Sequence, residues 1–84
     1  MTTADTLDRG RASLERQAWA DAFDKLSAAD RDVPLAPEDL ELLAKAAYLV
    51  GRDADRDEVL ARAHQEWLRL GGAERAARCA FWLA

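Results

Sequence analysis

Residues 22–51, AFDKLSAADRDVPLAPEDLELLAKAAYLVG, decide the fold. Small and apolar side chains recur there at intervals of three and four: Ala22, Leu26 and Ala29 before the two prolines, then Leu40, Leu43, Ala44 and Ala47 after them. That interval gathers side chains on one face of an α-helix, whereas a half-buried strand alternates with a period of two. Pro34 and Pro37 bracket the join between the runs, and a residue that precedes proline is driven out of helical geometry. Pro37 suits a first helical turn, where its missing N–H would have no partner, and Glu38 and Asp39 suit the positive end of the dipole. Gly51 suits the opposite end as a left-handed stop. The segment therefore reads as helix, short connection, helix.

The flanking sequence extends the pattern. The valines are Val33, Val50 and Val59 and there is no isoleucine, so strands are not expected. Breaks near Gln17 and Ala18, at the prolines, at Gly51 and at Gly71-Gly72 predict about five helices, over 4–16, 19–32, 37–50, 55–70 and 73–84. Links this short favour antiparallel neighbours, hence a stack of helical hairpins. Leu26 and Leu60, Ala29 and Ala63, and Gly10 and Ala44 each lie 34 residues apart, which is the tetratricopeptide period. Ala22, Leu26, Ala29 and Pro34 resemble that family's A-x3-F, A and P positions, with Leu where an aromatic is common, and Leu40, Leu43, Ala44 and Ala47 echo the start of a repeat. The resemblance implies an all-α, single-domain tetratricopeptide-like solenoid over residues 1–84, with two repeats and the first helix of a third. Small residues would let the helices of a hairpin approach closely, and each hairpin would depend on its neighbours for stability. Arg9 and Ser13 stand where the pattern has Leu and Tyr, Arg56 where it has Ala, and Leu68 where it has Pro. The last departure predicts a longer second helix in the second repeat.

Composition narrows the function. Half of the residues are hydrophobic and 33% charged, which is rich enough to collapse into a core. Twelve Lys and Arg against 16 Asp and Glu leave a net charge of -4, the wrong sign for a surface that must neutralise phosphates, so direct nucleic-acid binding is not expected. Cys79 is the only cysteine; it supplies neither a disulfide framework nor a CxxC zinc pair, and it fits a reducing cytoplasm. Met1 to Leu7 has no signal-peptide character and nowhere do 18 apolar residues run together, so neither export nor a membrane span is expected.

Motifs for chemistry fail on inspection. Asp53, Asp55 and Asp57 with Glu58 start like a calcium loop, but Glu58 holds the position that needs Gly and His64 the position that needs Glu. Helix capping and dipole compensation are the expected roles of these acids, and no metal site is expected. His64 and Cys79 could pair only with an orienting third group and an oxyanion site, and neither is recognisable. No nucleotide-binding glycine loop is present. No enzymatic activity and no cofactor are expected. Trp19, Trp67 and Trp82 sit at helical spacing beside apolar neighbours and read as packing residues, Trp19 as a wedge at a hairpin turn.

The expected functional surface is the concave face, which the first helix of each repeat lines in tetratricopeptide arrays. The repeat offset places Leu7, Arg11 and Leu14 there from the first repeat, and Glu38, Glu41, Lys45, Tyr48 and Leu49 from the second. This mixed face suits a protein or peptide partner. It lacks the Lys and Asn arrangement of a chaperone-tail clamp. Phe81, Trp82 and Leu83 form an apolar C-terminal edge; leaving it open forfeits about 1.5–3 kcal/mol per buriable side chain, so self-association or a longer chain is expected to cover it.

A narrower resemblance rests on LSAADRDVPLAPEDLELLAKAAYLVGRD (26–53), ARAHQEW (61–67) and AARCAFWLA (76–84). With these strings the chain resembles the helical-repeat region at the start of actinobacterial LuxR-family transcriptional regulators. The resemblance implies a sensory or oligomerisation segment, with DNA binding carried by a helix-turn-helix that has no counterpart in these residues. A free-standing helical scaffold or adaptor is the alternative expectation.

Overall fold

Thr2 opens α1 (Thr3–Glu15) with a capping box: its hydroxyl accepts the Asp5 N–H at 3.2 Å, while the Asp5 carboxylate accepts the Thr2 N–H at 3.3 Å. Two N–H groups that a helix start leaves unpaired are thereby satisfied. The remaining helices are α2 (Trp19–Asp32), α3 (Pro37–Leu49), α4 (Asp53–Arg69) and α5 (Ala73–Leu83). The computed structural model describes residues 2–83, and side chains over 2–81. Among the described residues the fold is all-helical, with no strand.

Three helices stop by one device. A residue in the left-handed region follows the helix, and the next N–H reaches back five residues: Ala18 to the Ser13 carbonyl at 2.9 Å, Arg52 to Ala47 at 2.8 Å, and Gly72 to Trp67 at 2.7 Å. Gly51 and Gly71 supply the left-handed residue at φ 80°, as a residue without Cβ does most cheaply. At the end of α1 the residue is Gln17, at φ 63°. α2 stops differently. Val33 is extended, as the residue before Pro34 must be, and the Asp30 carboxylate turns back to accept the Leu35 N–H at 3.1 Å.

Pairings across the first hairpin give its direction. Thr3 bonds Asp32, Gly10 lies against Leu26, and Ser13 bonds Asp21; as one number rises the other falls, so α1 and α2 are antiparallel. α4 and α5 behave likewise, with Trp67 against Gly72 and His64 bonded to Ala76. Alternate helices instead run in parallel register. Glu38 meets Arg75 and Glu41 meets Arg78, both at an offset of 37, and Asp30 meets Arg62 at an offset of 32. Each helix packs on its sequence neighbour, and α1 also approaches α3.

The repeat-related residues form the core. Leu26, Ala29, Ala44, Leu60 and Ala63 are all buried, together with Leu35, Leu40, Leu43, Val59, Trp67, Ala76 and Cys79. Gly10 shows why smallness matters at the crossing: a Cβ there would lie 2.9 Å from Leu26 Cγ and Cδ2. A second cluster, Leu14, Ala22 and Ala46, joins α1, α2 and α3, with Trp19 packed against it at the first hairpin turn. The expected longer second helix is present, since α4 has 17 residues and α2 has 14. One detail differs. Asp53 and Asp55 occupy the first turn of α4, as dipole compensation requires, but the capping residue is Arg52 and no side chain caps the helix.

Candidate protein-contact face

Arg11, on α1, reaches across to the start of α3. Its Nε and Nη2 donate to the two carboxylate oxygens of Asp39 at 2.9 and 2.7 Å, and Nη1 donates to Asp8 at 3.2 Å. Asp39 is only 5% exposed, so the pair ties α1 to α3 where the carboxylate has little access to water. The hydrogen bond to Asp39 holds the Arg11 guanidinium above its ordinary pKa, and the nearby charges of Asp39 and Asp8 act the same way.

Glu41 organises the opposite side of α3. It accepts the Trp67 indole N–H at 3.0 Å and bonds from Arg78 Nε and Nη2 at 2.8–3.2 Å. The Arg75 guanidinium stacks 4.6 Å from the Trp67 ring centroid and lies 3.9 Å from Glu38. Stacking of a cation on an indole face adds about 0.5–1 kcal/mol where water has access. α3, α4 and α5 are thus clamped by two carboxylates, one indole and two guanidinium groups.

The residues expected on the concave face fall into three groups. Arg11 and Glu41 face neighbouring helices, where hydrogen-bonded partners hold them, whereas Glu38 is exposed and lies 3.9 Å from Arg75. Leu14 is 8% exposed in the second cluster, and Leu7 packs partly against the core. Leu14 is therefore a packing residue, a correction that follows from Ala22 and Ala46 closing over it. Lys45, Tyr48 and Leu49 are exposed, with the Arg56 guanidinium 5.6 Å from the Tyr48 ring. At the C-terminal edge Phe81 is 73% exposed, while the side chains of Trp82 and Leu83 lie outside the described residues.

A second inter-repeat tie was not anticipated. Arg62 on α4 donates from Nη1 and Nη2 to the Asp30 carboxylate of α2 at 2.7 and 2.9 Å. Those bonds, with the Leu35 N–H, hold the Asp30 carboxyl below its usual range against the opposing effect of burial, and Asp30 raises the Arg62 guanidinium in turn. Arg62 also lines two shallow depressions of about 210 and 240 Å³, one beside Pro34, Leu35 and Leu40 and the other beside Phe23 and Leu43.

The chemistry-bearing residues have ordinary surroundings. His64 Nδ1 is 2.7 Å from the Ala76 carbonyl; a carbonyl only accepts, so Nδ1 carries the proton. Cys79 is fully buried, and burial followed by the Glu41 charge pushes its thiol pKa up, the reverse of what activates a nucleophile. Asp55 and Asp57 pair with Arg52 and Arg56. Among the described residues no three His, Cys, Asp or Glu side chains are grouped to hold a metal ion, and no helix is long and apolar enough to cross a membrane. No protein-family model matches the chain, and no curated protein or solved structure shows significant similarity to it.

Proposed function

We propose that the chain is a non-catalytic, tetratricopeptide-like protein-contact segment of the kind found at the start of LuxR-family transcriptional regulators, acting in the cytoplasm. The observation that carries this reading is the realised 34-residue spacing. Its related residues are buried at matching hairpin positions, and alternate helices lie in parallel register, so that α1, α3 and α5 contribute to one side of the stack. Most charges on that side are used between helices. Lys45, Tyr48 and Leu49, with Glu38 beside them, are exposed positions open to a protein or peptide partner. The net charge of -4 argues against DNA contact by this segment, so DNA binding would belong to another part of a regulator.

Two measurements test the reading. Translation of the natural reading frame beyond codon 84 should reveal a helix-turn-helix; a native stop codon there, with a folded protein of this mass in cells, favours the free-standing adaptor and overturns the regulator reading. In an affinity capture from native cells, Tyr48→Ala with Lys45→Ala should lose a partner that the parent chain retains. Retention of every partner by this double variant would remove the face from consideration.

A further inference from the structure

Helix α5 is held by unlike means on its two sides. Towards α4 it buries Ala76 and Cys79, both small, and its Ala76 carbonyl receives the His64 ring N–H. Towards α3 there is no close backbone approach among the described residues; two ion pairs, Glu41 to Arg78 and Glu38 to Arg75, cross to it, and the Cys79 thiol meets the Glu41 carboxylate beside them. Arg78 is about half exposed and Glu41 about a quarter. Pairs with that much water access weaken in salt, whereas apolar burial does not. Glu41 also holds Trp67, so loosening it affects both partners of α5 at once.

We infer that α5 is a reversible, salt-sensitive latch, held on the α3–α4 hairpin by the Glu41 clamp and released before the rest of the fold opens. Release uncovers Trp67 and the adjoining face of α4 without unfolding the first hairpin. Such openings below the global unfolding free energy are typical of segments with few buried apolar contacts, and over residues 73–81 the buried side chains of α5 are the small Ala76 and Cys79. Cys79 reports on it. The thiol is buried and bears the neighbouring Glu41 charge when α5 is docked, and is freed from both when α5 leaves.

The test follows Cys79 modification by dithionitrobenzoate on the folded chain, with peptide-resolved amide exchange over 73–81 as a second readout. Three chains are compared: the parent, Glu41→Gln, and Arg11→Gln, which weakens a similar ion pair at the other interface. Glu41→Gln should raise amide exchange over 73–81 about three- to tenfold, the range expected from losing a partly exposed ion pair with its hydrogen bonds. The thiol rate rises too, part of it directly because the Glu41 charge no longer holds the thiol pKa up, so exchange decides for this variant. Raising salt from about 0.01 to about 0.5 M should accelerate the parent about two- to threefold and the variant much less. Arg11→Gln should lower global stability yet leave the thiol rate unchanged. The inference is overturned if Cys79 reacts only at the global unfolding rate, or if Arg11→Gln accelerates exchange over 73–81 as much as Glu41→Gln.

Discussion

Gln17 stands in a backbone conformation that Gly51 and Gly71 occupy without a Cβ. A left-handed L-residue costs about 1–2 kcal/mol, and glycine returns part of that through its greater unfolded-state freedom. Gln17→Gly should therefore stabilise the chain by about 0.5–1 kcal/mol, read as a rise of several degrees in Tm. Gly10 carries the opposite expectation. Its missing Cβ is what admits Leu26, so Gly10→Val should cost about 1–3 kcal/mol in a denaturant titration as the fully buried Leu26 is displaced. Both positions stood out in the sequence, Gly10 as a repeat-related small residue and Gln17 as a turn. The left-handed geometry at Gln17 was not legible, because Gln has no special preference for it.

Among the helices, glycines or prolines marked three of the four breaks, the exception being Gln17-Ala18, and the observed limits fall within about two residues of those read from spacing, Ala84 lying outside the described residues. Side-chain ties between helices were hidden, since Arg11–Asp39, Asp30–Arg62 and Glu41–Arg78 span 28, 32 and 37 residues and follow no single period. Asp39 looked like a dipole partner and Trp67 like packing; each is that, and each also anchors a polar clamp. The Asp30–Arg62 tie makes an acid-sensitive joint. Because the Asp30 pKa is depressed in the folded state, its contribution is present above the ordinary Asp value of about 3.9 and is lost as pH falls through the lower folded value. Asp30→Asn should therefore weaken the chain at pH ~7 and much less at pH ~2, measured by urea unfolding at both. Arg62→Ala should cost about 1–2 kcal/mol at neutral pH, between the values for exposed and buried pairs.

For the assembled chain, exposed apolar side chains are the main unresolved demand on stability. Val33, Leu68, Leu70 and Phe81 are each more than half exposed. Light scattering across a tenfold dilution should detect self-association, with Phe81→Glu shifting it towards monomer; a monomeric parent at every concentration would exclude that edge as a contact between copies. The stacked-hairpin architecture was readable because the 34-residue spacing is a property of sequence alone. The division of the expected face into bonded, buried and exposed residues was not, because it depends on how far α3 rotates towards α1 and α5.

The side-chain hydrogen bonds of this fold reach no farther than 37 residues along the chain among the described residues. Among the described residues α1 and α5 make no close backbone approach. Short loops close at small entropic cost, and chains rich in local contacts cross their folding barrier in microseconds to milliseconds. Refolding after a temperature jump should accordingly finish within about a few milliseconds. As the nascent chain leaves the ribosome, the α1–α2 hairpin can form before α5 is synthesised, leaving little time for a misdirected encounter.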